Sequence, residues 1–373
     1  MTRVLNIISD TNIGGAGRVI LNYLRYTDRD RFETWVAVPR GSLLKAPLEE
    51  AGAKVLEVDG AADRSYARED VKVLRAAIEQ VRPDLVHTHG CLSGRIAAKR
   101  LRVPVVYSRH SAFPVPAKLK YPPGRWVNKL VNERYADRII AVSPAARDNL
   151  TEAGVSPKKI TVVMNGVSPV EPLPAPEKEA LRRSLDIPSG VTVFGILARI
   201  EDYKGHLTIA QAARLLKDQG RTGFRVLVAG TGSYERTVAR TVKDLGVADE
   251  VRLLGFRSDA DRLLNILDVQ LNASYGTEAT SMALLEGMSL SLPTVASDYG
   301  GNPYVIRDGD TGILFPSRDA RALAEAMARL MDRPEECAAM GRRAREDFEN
   351  RFTGEVFARE TENVYDNVLK GDK

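Results

Sequence analysis

At 373 residues the chain is longer than one ordinary hydrophobic core organises, so two or three domains are expected. Its 44% hydrophobic and 28% charged residues make a globular composition; no apolar run nears the roughly 18 residues that span a bilayer, and residues 1–10 turn polar too soon for a secretion signal. The net charge of +5 hides an asymmetry: residues 1–170 carry 27 Lys and Arg against 17 Asp and Glu, whereas residues 171–373 are net acidic.

In chain order, short β-branched runs alternate with amphipathic stretches, the pattern of parallel sheets flanked by helices. Strands are predicted at residues 4–8, 34–38, 54–57, 85–88, 103–107, 138–142 and 160–163, with helices at 17–26, 70–81 and 144–153. The proline-rich stretch from Ser168 to Pro176 suits neither element and reads as an extended linker. Alternation resumes with strands at 191–197, 225–229, 251–254, 269–272 and 294–296 and helices at 207–217, 235–245, 260–266, 282–288 and 320–330. The predicted organisation is therefore an α/β protein with a first Rossmann-like domain over residues 1–168, a linker over 169–190 and a second Rossmann-like domain over 191–352. A last helix, about 353–370, is free to pack back on the first.

Ligands of such folds sit beyond the carboxyl ends of the strands, so residues just after strands are the candidates. After residue 197 come Arg199 and Lys204, five apart on a loop entering a helix, able to grip a diphosphate as a planar fork and a point charge. After residue 272 come Glu278, in a loop, and Glu286, inside the helix that Thr280 or Ser281 would cap. A phosphate can dock at that helix start, and carboxylates on either side can accept bonds from sugar hydroxyls. Taken singly, each feature also fits a solvated surface; their ordered combination is what carries weight.

That combination strongly resembles family four of the retaining glycosyltransferases, which has the GT-B fold. The matching residues run Gly14-Gly15-Ala16, then Pro83 through His89, Pro104 through His110, Val142-Ser143, Asn165-Gly166-Val167, Arg199 with Lys204-Gly205, Gly230, Gly255, and Glu278 through Glu286. The resemblance implies two Rossmann-like domains facing across a cleft. It implies Arg199 and Lys204 as the donor diphosphate grip, Glu286 on the ribose, Glu278 facing the donor sugar and His110 near the reacting centre, with His89 its nearest rival. Gly14, Gly15 and Ala16 match a loop that closely approaches acceptor or phosphate. His87 is a weaker candidate than either, and His206 is expected to decorate a helix start. Three positions depart from the pattern: Ala279 and Ser291 stand where glycine is usual, and Tyr304 where glutamate is common.

The implied reaction moves a hexosyl group from a nucleotide sugar, a UDP-sugar before a GDP-sugar, to a hydroxyl of a sugar or lipid-linked acceptor with retention. This would serve polysaccharide or glycolipid synthesis. The paired cations Arg199 and Lys204 would take the place of a metal on the diphosphate, so no metal and no cofactor beyond the nucleotide sugar is expected. Cys91 and Cys337 match no metal or redox spacing and read as buried small hydrophobes in a reducing, cytoplasmic setting. The rivals are a sugar-nucleotide epimerase, a non-catalytic nucleotide-sugar binder, and a dinucleotide-dependent oxidoreductase; the last lacks Gly-x-Gly-x-x-Gly spacing at Gly14-Gly15. No nucleic-acid motif accompanies the basic half, so nucleic acid is not expected as a partner. Residues 113–134 mix five cations with Phe113, Tyr121 and Trp126 around one acid, Glu133. Such a segment either packs as an ordinary amphipathic helix or rests on an anionic membrane surface, at the inner face of the plasma membrane.

Overall fold

Strands that are apolar on both faces need helices on both sides of the sheet, and the chain builds this twice. The computed structural model describes residues 1–371 and divides into two compact units. The first, Met1–Gly166 with Thr353–Lys373, contains β1 (Thr2–Ile8), β2 (Phe32–Pro39), β3 (Lys54–Val58), β4 (Leu85–His89), β5 (Val105–Arg109), β6 (Arg138–Ala141) and β7 (Ile160–Val162). Their order is β3-β2-β1-β4-β5-β6-β7, with every pairing parallel. Alternation along β1 feeds two cores. Leu5 and Ile7 pack with Leu74 and Ile78 of the helix Arg68–Val81, and Ile8 packs with Ile20 and Leu24 of the helix Gly15–Tyr26.

The second unit, Val167–Phe352, contains β8 (Thr192–Leu197), β9 (Phe224–Ala229), β10 (Val251–Gly255), β11 (Val269–Asn272), β12 (Thr294–Ser297) and β13 (Gly312–Phe315). The order is β10-β9-β8-β11-β12-β13, again all parallel. Phe194 and Ile196 face Ile209 and Leu216 of the helix His206–Asp218 and Leu323 and Met327 of the helix Ala320–Asp332; Val193 and Leu227 face Leu263 and Leu267 on the other side. Each fully buried side chain of this size contributes about 1.5–3 kcal/mol.

Three features differ from the expectation. The proposed linker 169–190 contains the helix Ala175–Ser184, whose Leu181 packs on the second unit's core, with Arg182 bonded to Asp268 at 3.1 Å. Pro174 and Pro176 start that helix rather than prevent it, because proline's fixed φ and missing N–H are tolerated in a first turn. The short strand β13 was not anticipated. Nor was the helix Pro334–Arg351, whose heavily charged sequence buries only a narrow line through Met340, Ala344 and Phe348, four residues apart.

The last helix, Gly354–Lys370, belongs to the first unit. Thr353 caps it by accepting from the Val356 amide at 3.3 Å. Its Glu362 accepts from Thr27 Oγ1 and the Asp28 amide, both at 2.9 Å, and its Tyr365 is fully buried.

Candidate active site

In the second sheet the strand order reverses between β8 and β11, and ligand crevices of doubly wound sheets open at such a point. The loops after these two strands carry Arg199, Lys204 and Glu278, and they are sewn together. The Tyr275 amide donates to the Tyr203 carbonyl at 2.8 Å, and the Tyr275 hydroxyl to Asp202 Oδ1 at 2.5 Å. Gly205, at φ +74°, ends the short turn Asp202–Lys204, and a Cβ there would collide with the Ala273 carbonyl. Glycine therefore lets the loop after β8 lie directly on the loop after β11. A third loop, after β12, closes on the same place: the Gly301 amide donates to the Glu278 carbonyl at 2.8 Å.

Within this frame Glu278 is 6% exposed, and its Oε2 accepts from Lys204 Nζ at 2.8 Å, Ser274 Oγ at 3.1 Å and Asn272 Nδ2 at 3.3 Å. The carboxylate is thus desolvated, with Lys204 as its counter-charge and two further donors on the same oxygen. Lys204 is joined to Glu278 rather than to Arg199, whose exposed guanidinium donates to the Tyr203 hydroxyl at 3.3 Å. A small cavity of about 20 Å³ adjoins the pair, lined by Lys204, Asn272, Ser274, Glu278 and Ser281 among others. Glu286 lies half-buried in the helix Met282–Met288. Ser281 takes the cap position of that helix, but its side chain makes no capping bond. Asn272 and Ser274 escaped notice in the sequence: one ends β11 and the other follows it, and only folding turns both toward Glu278.

The four histidines are all buried or half-buried and all held neutral. His206 is 2% exposed, and neither ring nitrogen has a partner; burial next to Lys204 pushes it down to about 4. It is a core residue and not the surface decoration expected of a helix start. In the first unit β1, β4 and β5 bring the other three together. His87 is engaged at both nitrogens, by the Tyr365 hydroxyl at 2.7 Å and Ser108 Oγ at 2.8 Å, and burial pushes it down to about 3. His89 Nδ1 lies 2.8 Å from His110 Nε2, with the rings stacked 5.1 Å apart, while His89 Nε2 lies 3.0 Å from Asn6 Oδ1. Burial holds His89 well below its ordinary range; burial and then the Arg109 charge push His110 down to about 4. His110 and its rival His89 are therefore one assembly, and His87 is a structural residue beside it.

Gly14 occupies the cap position of the helix Gly15–Tyr26, and a Cβ at Gly15 would meet nothing within 4 Å. Only Gly17 is demanded by internal packing, since a Cβ there would crowd Leu44. Gly15 thus faces open space, whereas a Cβ on Gly14 would come within 3.4 Å of Asp10 Oδ2. Cys91 is buried; Cys337 is half-buried and pushed up by burial to about 11, so both are inert at neutral pH.

Two family models match the chain: Glycosyltransferase Family 4 over residues 13–171, and Glycosyl transferases group 1 over residues 177–347. The chain belongs to the group 1, family-four glycosyltransferases. Among its relatives is a D-inositol 3-phosphate glycosyltransferase of Kineococcus radiotolerans, 32% identical over 293 residues that span 70% of this chain and 66% of the relative. The fold matches a glycosyltransferase from Rickettsia africae (TM-score 0.85, 21% identity, 100% and 99% of the two chains). It also matches Anabaena HepE, solved with UDP and glucose (TM-score 0.84, 21% identity, 98% and 100%). Both neighbours are GT-B proteins, and this glycosyltransferase has the two parallel-sheet α/β domains of that fold.

The departures of this glycosyltransferase from its family pattern have structural counterparts. Ser291 adopts φ +61°, a left-handed conformation that glycine takes without strain. Ala279 is buried, and its carbonyl lies where a Cβ on Gly301 would fall, so the pair Ala279 and Gly301 is packed as a unit. Tyr304 is 37% exposed, and its carbonyl accepts from Arg351 Nη2 at 2.7 Å.

Proposed function

We propose that this glycosyltransferase moves a hexosyl group from a UDP-sugar to an acceptor hydroxyl with retention at the anomeric carbon, in polysaccharide or glycolipid synthesis. The observation that carries the proposal is the buried Lys204–Glu278 pair at the reversal of the second sheet, beside the exposed Arg199. In this reading Arg199 and Lys204 hold the donor diphosphate and stabilise the charge that grows on it as the sugar departs. Glu286 accepts from the ribose hydroxyls. Glu278 sets Lys204 and faces the sugar. His110 lies by the reacting centre, and Gly14, Gly15 and Ala16 admit the acceptor or a phosphate. The anomeric C–O bond to the diphosphate breaks, and the acceptor oxygen bonds on the same face. Its proton passes to the leaving phosphate oxygen, so neither metal nor additional cofactor is required. The UDP preference draws on the UDP-bound neighbour; the matching models and relatives are transferases, and nothing favours an epimerase or a non-catalytic binder.

A panel of UDP-, GDP- and ADP-sugars, after dialysis against EDTA, should show nucleotide release that is fastest with a UDP-sugar. Release from none of them, or only after metal is restored, would refute the reading. Glu286→Ala should weaken UDP binding by roughly 1.5–3 kcal/mol, as titration calorimetry would report, because a charge-assisted bond to ribose is lost. Unchanged UDP affinity would remove Glu286 from the site.

We further propose that the first unit rests on an anionic membrane surface and takes a lipid-linked acceptor there. The helix Gly124–Arg134 docks by polar residues. Asn128 donates to the Ala153 carbonyl at 2.8 Å, and Asn132 accepts from Arg95 at 3.0 Å. Its apolar residues point outward instead: Trp126 is 67% exposed and Leu130 64%, with Val127 and the nearby Tyr121 and Phe113 also exposed. This inverts the usual surface helix, which buries its apolar stripe. Lys118, Lys120, Arg125 and Lys129 lie in the same segment, and each cation can add about 1 kcal/mol at an anionic surface. The protein should co-sediment with phosphatidylglycerol vesicles at low salt, and a Trp126→Ser/Leu130→Ser variant should do so far less. Equal partition of both proteins would rule this out. Among the described residues no helix is long and apolar enough to cross a membrane.

A further inference from the structure

We infer that Asn6 and His89 are positioning residues that fix the proton of His110 on Nε2 and leave His110 Nδ1 as a bare acceptor for a sugar hydroxyl. Asn6 turns Oδ1 toward His89 Nε2 at 3.0 Å and leaves its buried Nδ2 without a partner; in this amide orientation the oxygen can only accept, so His89 Nε2 carries the proton and donates it. A neutral imidazole has one N–H, so His89 Nδ1 is then an acceptor. The group 2.8 Å from it, His110 Nε2, must be the donor. By the same count His110 Nδ1 has no proton, and this buried nitrogen has no partner within the protein.

The register of the sheet makes the chain of three possible. Asn6 on β1 pairs with His87 and Ile8 with His89 on β4, while His89 pairs with Ser108 on β5, two residues before His110. The three side chains therefore descend from adjacent strands at the carboxyl end of the sheet. Depressed basicity at His89 and His110 keeps both rings neutral at pH 7, so one tautomer can persist. Tyr365 and Ser108 occupy both nitrogens of His87, which removes it as a competing partner although its ring lies 4.3 Å from that of His89. The same arrangement makes the site selective: a group reaching His110 Nδ1 must bring its own hydrogen, as a hydroxyl does and a phosphate or carboxylate oxygen does not.

This inference rests on the reading of His110 as a group beside the reacting centre, and the two can fail separately. Histidine labelled with ¹⁵N in the full chain, without substrate, reports the tautomer directly through long-range proton–nitrogen correlations at pH 7. His110 should show a protonated Nε2 and an unprotonated Nδ1. In Asn6→Leu, with the fold checked by melting, the two His110 nitrogens should shift toward averaged positions. A proton on Nδ1 in the wild type, a doubly protonated His110 at pH 7, or an unchanged single tautomer in Asn6→Leu would overturn the relay. If Asn6→Leu does not fold, the wild-type spectrum still decides, supported by a bare Nδ1 and overturned by a protonated one. Transfer at the wild-type rate by His110→Ala would instead sink the reading of His110 and leave the tautomer result standing.

Discussion

Glu278→Ala should lower the melting temperature by about 10 °C and abolish measurable transfer. Removing one member of a buried ion pair typically costs about 3–5 kcal/mol, because the other charge stays desolvated without its partner, and each kcal/mol is worth about 2–4 °C in a unit of this size. Here the stranded group is Lys204, whose side chain is 17% exposed. Lys204→Met should be comparably destabilising, since it leaves the Glu278 carboxylate with only Ser274 and Asn272 as donors. The double variant Lys204→Met/Glu278→Ala removes both charges and should regain much of the lost stability while remaining inactive. Scanning calorimetry and nucleotide release on the four proteins give the full cycle. Additive losses of stability would show that the pair is not coupled, and activity in the double variant would remove both residues from the chemistry. Glu278 holds Lys204, so its loss should disturb diphosphate binding as well as transfer.

Acidification should unfold the protein well above the pH at which carboxylates titrate. Three histidines are pushed to between about 3 and 4, and His89 also lies well below its ordinary range. In the unfolded chain each binds a proton near pH 6.5. Between pH 6.5 and about 4 the unfolded state therefore binds more protons than the native state. Stability is fully present above pH 6.5 and is lost as pH falls, by up to about 1.4 kcal/mol per pH unit for each histidine. Asp10 and Glu360, raised by burial, work in the opposite direction but only near carboxylate pH. Carboxylates lowered by ion pairs, such as Glu33 and Asp70, start to lose their contribution only near pH 4. Melting temperatures measured from pH 7.5 to 4.5 should fall steeply once pH drops below 6.5. A flat profile down to pH 5 would show that the histidines are not held neutral by the fold. Because the first unit carries three of the four, its tryptophans Trp35 and Trp126 should report the change.

Local pattern by itself determined the two α/β units, most strand positions, and the loops that bear Arg199, Lys204, Glu278 and His110. Each of those features is written in a few consecutive residues: a β-branched run, a glycine, a helix start. It failed where the local signal was thin. The helix Pro334–Arg351 buries one narrow line of side chains, β13 is four residues long, and two prolines disguised the start of the helix Ala175–Ser184. The helix Gly124–Arg134 was foreseen, but which side it buries was not, since asparagine docking with tryptophan exposed contradicts the usual direction of burial. Partnership was decided only by tertiary structure. Lys204 and Glu278 are 74 residues apart, His89 and Asn6 are 83, and His87 and Tyr365 are 278. Strand order sets which of these meet, and strand order is fixed by long-range packing. A run of residues can announce a strand and the polar group that follows it; the charge, tautomer or hydroxyl facing that group comes from a neighbouring strand or a distant helix.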